Sequence, residues 1–450
     1  MSNQRSTNTT LDFHPVTVAD KALFERLVTV SECRNCDMSF ANIFCWQDTY
    51  NSQIALYEGF LLIRFTTERG QNAYMQPIGE GDRLAVINAL AADATQIGEP
   101  LRLFGLDRGW SEFLSATFGN QFAICNVSEH SDYIYLCSDL ATLSGRKYQP
   151  KRNFINRFVS RYSYRFERIN DHNLKECIAI NNLWLSQRGG GKSAEQMAVA
   201  RAFANLNTLS LEGWILYADN TPCAFAIGSP INHDTFCIHI EKVDTTFDGA
   251  GAMINNLVAV ELNARFKYIN REDDLGIEGL RRAKQSYHPV EMLSKYSALM
   301  ITDHQNQIID LWQQVFEDNR ESIEEFMVRL FNPELCFTHT VDDKVVAMLH
   351  VVPLQSQTEN IACIYAVATA PEHRNQGMAS TLMAAALESI DNGKYHFTAL
   401  IPANEKSANF YSRFGFEDSG EIFNFSDFEI NYDLGTGCSK RDIAMVRKNA

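Results

Sequence analysis

One short run constrains this chain more than any other: Arg374-Asn375-Gln376-Gly377-Met378-Ala379, set between an apolar stretch at 361–369 and a helical stretch at 377–390. The apolar stretch is far shorter than the roughly 20 residues of a membrane span. It reads as a strand buried on both faces. A strand that turns through glycine into a helix offers free backbone N–H groups and the positive end of the helix dipole. Gly377 and the small Ala379 permit close backbone approach, and Arg374 can add charge-assisted hydrogen bonds. The run therefore suits a pyrophosphate. An ordinary strand-to-helix turn is the plain alternative.

The surroundings narrow the choice. A short strand at 299–302 precedes helices at 308–316 and 323–331, where Ile308, Ile309, Leu311, Trp312 and Val315 recur at helical spacing. Strands follow at 336–341 and 345–352, joined by the Asp342-Asp343 turn. After the glycine run come the helix to Ile390, with Asp391-Asn392-Gly393 as its stop, a strand at 397–401, a helix at 405–414 closed by Gly415, and a strand from Phe416. A second constellation, Asn404-x-x-Ser407-x-x-Phe410-Tyr411-x-x-x-Gly415-Phe416, stands at a fixed distance behind the first.

This order and these two motifs resemble the GNAT family of N-acyltransferases over about 120 residues. The resemblance implies acetyl-CoA as co-substrate and a small-molecule or peptide amine as acceptor; on the cysteine spacing given below, no metal is expected. By position it assigns Arg374, Asn375, Gln376, Gly377, Met378 and Ala379 to the CoA phosphates. It assigns the backbone amides of Val367, Ala368 and Thr369 to the thioester carbonyl, and Asn404 to the pantetheine arm. Asn404 is equally suited to capping a helix. Tyr411 stands where the family places the acid that protonates the leaving thiolate; a phenol near pKa 10 and a thiol near 8.5 are close enough for useful transfer. A buried packing tyrosine is the alternative. The base is open: the family's glutamate position holds Cys363, and Glu359, Tyr365, Glu372 or a water chain remain.

The front two-thirds divide at about residue 143. Helices are expected at 21–30 and 83–92, and strands at 61–66, 101–104 and 132–136. Beyond 144 a basic stretch runs to Arg168, holding Arg146, Lys147, Lys151, Arg152, Arg157, Arg161 and Arg165; it reads as a solvated helix face or as a phosphate-facing patch. Gly189-Gly190-Gly191-Lys192-Ser193 is no P-loop, because Ser186 stands where that motif needs glycine. Three strands at 212–219, 223–228 and 235–241 lead through Thr246-x-x-Gly249-x-Gly251 to a helix at 249–264. This repeats the last third's layout, but Thr246 replaces the cationic or amide residue.

Ser39-Phe40-Ala41-Asn42, Asp132-Tyr133-Ile134-Tyr135, Leu143-Ser144-Gly145-Arg146-Lys147-Tyr148, His239-Ile240-Glu241-Lys242 and Asn270-Arg271-Glu272-Asp273-Asp274-Leu275-Gly276 carry a second resemblance. They resemble the soluble C-terminal domain of phosphatidylglycerol lysyltransferases over roughly 12–297. The fold class expected for the whole chain is α/β, mixed α+β: three GNAT-like units at 12–143, 144–297 and 298–450, with central mixed sheets flanked by helices. The family's characterised members move an aminoacyl group from tRNA to lipid, so tRNA is a partner under that reading; a non-catalytic substrate-binding module is the other. His239, Glu241, Lys242, Arg271, Glu272, Asp273, Arg281 and Lys284 would line a cleft between the halves or form a structural salt-bridge network.

Composition excludes little else. No apolar run is long enough for a span, and the polar N-terminus has no secretory signal pattern, so a cytoplasmic protein is expected. The net charge is -15, and from Ala298 onward 22 acidic residues face 11 basic ones. That disfavours broad nucleic-acid binding and is compatible with a cationic acceptor. The 11 cysteines offer one close pair, Cys33 and Cys36, too few for a four-ligand zinc site, and are expected as thiols.

Overall fold

The computed structural model describes residues 11–187, 194–355, 360–391, 394–419 and 444–449. It contains three mixed β-sheets flanked by helices. Two compact units share the chain. One comprises the chain up to Phe113 together with Asn126–Ser297; the other comprises Leu114–Cys125 together with the chain from Ala298 onward. Residues 114–125 thus fall with the last third. Among the described residues no helix is long and apolar enough to cross a membrane.

In the first unit, five strands lie in the order His14–Pro15, Gln53–Tyr57, Phe60–Thr66, Asn72–Met75, Arg102–Leu106. The second sheet has seven: Glu291–Leu293, Asp132–Leu136, Tyr268–Asn270, Thr235–Val243, Thr221–Pro230, Glu212–Ala218 and Tyr164–Arg168. The strand Asp132–Leu136, which precedes residue 144, therefore belongs to the second sheet. The elements that matter below are helix α1 (Gln149–Arg161), strand β1 (Thr235–Val243), helix α2 (Ala250–Leu262) and strand β2 (Tyr268–Asn270). Strands β1 and β2 are parallel neighbours, paired only from Thr235↔Tyr268 to Cys237↔Asn270.

In the second unit the sheet order is Cys336–Val341, β3 (Lys344–Gln355), β4 (Asn360–Thr369), β5 (Phe397–Leu400), Met445–Lys448 and Glu417–Asp418. Both faces are covered, which explains the near-continuous apolar reading of β3 and β4. Val346, Met348, Val352 and Cys363 pack under helices Asp303–Phe316 and Arg320–Arg329, against Ile308, Ile309, Trp312 and Phe326. Ala347, Leu349, Val351 and Ile364 pack on the other side against Leu382, Met383, Ala386 and Ile390 of helix α3 (Met378–Ile390). The switch between faces follows the two-residue period of a strand. The strand Met445–Lys448 is one the sequence reading does not contain; it pairs with β5. The helix stop at Asn392-Gly393 and the Gly189–Ser193 loop lie outside the described residues.

Candidate functional site

Strand β4 makes the site. It pairs in parallel with β5 from Ile361↔Phe397 to Cys363↔Ala399. Beyond Cys363 no pairing with β5 is seen, so an edge opens along 364–369. On the β3 side the register slips between Met348 and His350: Met348 faces Ala368 and His350 faces Tyr365. Two residues, Ala366 and Val367, therefore oppose Leu349, and Ala366 takes φ 49°. Such a bulge bends a strand and re-aims its amides. The Ala370 N–H bonds the Val346 carbonyl at 2.8 Å. Beyond the bulge successive amides point to alternate sides, so that of Ala368, like that of Ala370, faces β3 while that of Thr369 faces the open edge.

The chain then makes one 3-10 turn, Pro371–His373, and enters α3 through Gly377. Gly377 has φ 83°, a conformation that costs an L-residue roughly 1–2 kcal/mol. Nothing lies within 4 Å of where its Cβ would stand. The first helical bond runs from the Thr381 N–H to the Gly377 carbonyl, 3.0 Å, and the amides of the preceding turn are those a helix leaves for outside acceptors. Arg374 is exposed and its Nε donates to the Thr369 carbonyl at 3.2 Å. Asn375 takes φ 63°, and Gln376 donates to the Glu372 carbonyl at 3.4 Å.

Tyr411 is part-buried beside Phe410 and Phe416, at 5.2 and 6.3 Å between ring centroids. Burial pushes its phenol up to about 12. Asn404 caps helix Glu405–Ser412, its carboxamide oxygen accepting the Ser407 N–H at 3.0 Å. Cys363 is buried and pushed up to about 12 by desolvation, so it is no base. Tyr365 stacks on Phe326 at 5.5 Å, and Glu372 is exposed. Glu359 lies outside the described residues. His350, which the sequence reading does not single out, is 2 % exposed among Trp312, Phe326 and Phe331. Neither ring nitrogen has a partner among the described residues, and burial pushes its pKa down to about 3.

The first unit repeats this geometry with a different filling. Past Cys237 and Asn270 the strands β1 and β2 part, and the diverging ends carry charge. His239 Nδ1 meets Glu272 Oε1 at 3.0 Å, and its Nε2 meets Ser229 Oγ at 2.9 Å. Arg271 pairs with Glu241 at 3.0 Å, and Asn255 donates to Glu241 at 2.9 Å. Lys284 donates to the Arg271 carbonyl at 2.7 Å. Arg281 and Lys242 bond elsewhere, to Asp274 (3.0 Å) and Glu195 (2.5 Å). Burial raises the Asp273 carboxyl to about 7. Nearby, the buried Lys295 joins Asp132 at 2.7 Å to Asp37 at 2.8 Å. None of these three was legible in the sequence, because no local pattern marks a partner some 100 or more residues away. The ten described cysteines are free thiols.

The glycine loop of this unit is covered. A Cβ on Gly249 would stand 2.3 Å from the Phe154 carbonyl of α1. Arg157 and Arg161 of α1 close over it by pairing with Asp248 at 3.4 and 3.0 Å. Thr246 turns back to Asp244, Oγ1 to Oδ1 at 2.7 Å.

Residues 29–299 match the family model described as phosphatidylglycerol lysyltransferase, C-terminal. Residues 299–418 match an acetyltransferase (GNAT) domain. A solved conserved protein of unknown function from Bacteroides thetaiotaomicron is 40% identical; the match covers 65% of this chain and 100% of that one, with a TM-score of 0.62. The structure of L-PGS from Bacillus licheniformis is 16% identical over 58% of this chain and 91% of its own, TM-score 0.43. A GNAT family N-acetyltransferase from Escherichia coli, solved with CoA, is 20% identical over 33% of this chain and 78% of its own, TM-score 0.26. An uncharacterised protein of Mycoplasmoides gallisepticum is 25% identical over 178 residues, 38% of this chain; the chain spans only 56% of that protein's length.

Proposed function

The chain belongs to the phosphatidylglycerol lysyltransferase C-terminal family and carries a GNAT acetyltransferase domain behind that region; from that footing we propose that it is an acyltransferase whose last third moves an acetyl or similar acyl group from acyl-CoA to an amine. The observation that carries this reading is the open turn at Gly377 beside a bulged, unpaired strand edge. In it the pyrophosphate rests on the amides of 376–379 with Arg374 alongside. The pantetheine arm enters where β4 and β5 part, past Asn404. The thioester oxygen points at the Thr369 amide, which stabilises the oxyanion formed as the amine attacks. Collapse of that intermediate expels the CoA thiolate, the Tyr411 hydroxyl supplies its proton, and the proton lost by the attacking nitrogen passes to water, from which the tyrosine is reprotonated. A phenol at about 12 stays protonated at neutral pH and so is present as a donor, while transfer to a thiolate whose thiol lies near 8.5 runs about 3.5 pH units uphill and is completed by reprotonation of the phenolate.

Calorimetry with CoA and acetyl-CoA on the full chain tests the reading. Gly377→Glu, which places a like charge at the phosphates, is expected to weaken binding roughly 100-fold, about 2.7 kcal/mol. Unchanged affinity removes the loop from the site. Tyr411→Phe is expected to lower kcat about 100-fold at constant CoA affinity; unchanged turnover removes Tyr411 as the acid.

A second reading gives the first unit an aminoacyl-tRNA-dependent transfer of its own, or a non-catalytic role in holding the acceptor. What favours it is the Gly249 loop, packed against α1, together with the charged filling between β1 and β2. Aminoacyl transfer from charged tRNA that survives Gly377→Glu and is lost in His239→Ala would support it.

A further inference from the structure

One group in the first unit has no part in acyl-CoA chemistry. Cys237 and His239 stand two apart on β1, and a register shift there leaves His239 without a directly opposed residue on the neighbouring strand. Glu272 follows two residues past the end of β2, at φ 57°, which turns its carboxylate back toward them. One ligand atom from each lies within 4.8 Å of the other two: Oε1 is 3.0 Å from Nδ1 and 3.9 Å from Sγ. A tetrahedral ion with bonds of about 2.0 Å to nitrogen and oxygen and 2.3 Å to sulfur holds its ligand atoms about 3.3–3.5 Å apart. Side-chain adjustments of about an ångström or less bring the three atoms to that spacing.

The environment matches as well. The far nitrogen of His239 is held by Ser229 at 2.9 Å and Ser39 at 3.4 Å, the outer-partner arrangement that fixes which ring nitrogen faces an ion. Asn42 steadies Glu272 at 3.2 Å. A sulfur, a nitrogen and an oxygen form a borderline-soft set, suited to zinc and unsuited to magnesium or calcium, which take oxygen. The Cys237 and His239 side chains are buried while the Glu272 side chain is 27% exposed, so the approach is from the Glu272 side.

We propose that Cys237, His239 and Glu272 form a three-ligand zinc-type site, its fourth position open on the Glu272 side to water or to an oxygen of a substrate. The ion takes the place of the imidazole–carboxylate hydrogen bond and of the thiol proton, which leaves to solvent. The expectation of no metal rested on the Cys33–Cys36 pair; here the donors come from two strands, and only the Cys-x-His spacing is visible locally.

The test is titration of the metal-free, full-length chain with Co(II) as optical probe and Zn(II) as stabiliser. One equivalent of Co(II) should bind, with visible bands of tetrahedral intensity and a thiolate-to-cobalt charge-transfer band that Cys237→Ser removes. Zn(II) should raise the unfolding temperature of the parent chain, and Glu272→Gln and His239→Gln should weaken binding at least tenfold. Absence of stoichiometric Co(II) binding overturns the proposal. So does an unchanged charge-transfer band in Cys237→Ser, since the chain has 11 cysteines and another would then be the ligand. Should His239→Gln fail to fold, the part-exposed Glu272→Gln decides: unweakened binding there also overturns it.

Discussion

The turns at Gly249 and Gly377 have nearly the same backbone. Their φ and ψ are 90° and −4° in one, 83° and −5° in the other, and each opens a helix of 13 residues. Each follows a strand that pairs with its parallel neighbour over three residues and then parts from it. What differs is what stands in front. At Gly249 the α1 backbone stands where a Cβ would be; at Gly377 that space is clear. The same local solution is therefore packed against a helix in one unit and left open in the other. A glycine motif marks a backbone conformation, and only its surroundings say what the conformation is for.

Substitution should separate the two. Gly249→Ala meets both a left-handed φ and a backbone oxygen, and should cost roughly 3 kcal/mol or more in the first unit's stability. Gly377→Ala meets the strained φ alone and should cost no more than about 1–2 kcal/mol. Denaturant melts of the two variants check this, and equal losses would break the contrast.

Acid should separate the units next. His350 has its folded pKa held at about 3, below the ordinary value near 6.5. The stability this contributes is complete above about 6.5 and is lost as pH falls toward 3. At pH 5 the loss is about 2 kcal/mol. His350→Leu should flatten that part of the second unit's pH profile, and an unchanged slope would show that His350 is not the group responsible.

The smallest effect concerns Asn404. Asn404→Ala should destabilise by about 1 kcal/mol through loss of the cap, and Asn404→Ser should restore it. If CoA affinity falls in both variants while stability recovers in the second, the side chain touches the cofactor as well.

Much of the fold was legible in the sequence. The strands at Asp132–Leu136 and Cys336–Val341 and the helix at Lys21–Val30 stand where periodicity places them. The Gly377 turn was legible because its whole logic is local. The cover over Gly249 was not. It comes from α1, some 90 residues earlier, whose arginines read equally well as a phosphate patch until Asp248 is seen to hold them. Nor was His350 legible, since an unpartnered core histidine follows from burial alone and leaves no spacing behind. Asn404 was readable in two ways, and its bond to Ser407 supplies the capping one. The last strand, Met445–Lys448, lies about 25 residues beyond its partner Glu417–Asp418, too far for a turn signal to announce it.

The grouping of Leu114–Cys125 with the chain from Ala298 onward has a consequence in time. The strand Phe122–Asn126 neighbours Tyr296–Met300 in its sheet. Ribosomes add about 5–20 residues per second, so the earlier strand is made roughly nine to thirty-five seconds before the later one. Through that interval it presents an unsatisfied edge of the kind that invites wrong partners. A fragment cut out from residue 298 onward would begin life without it.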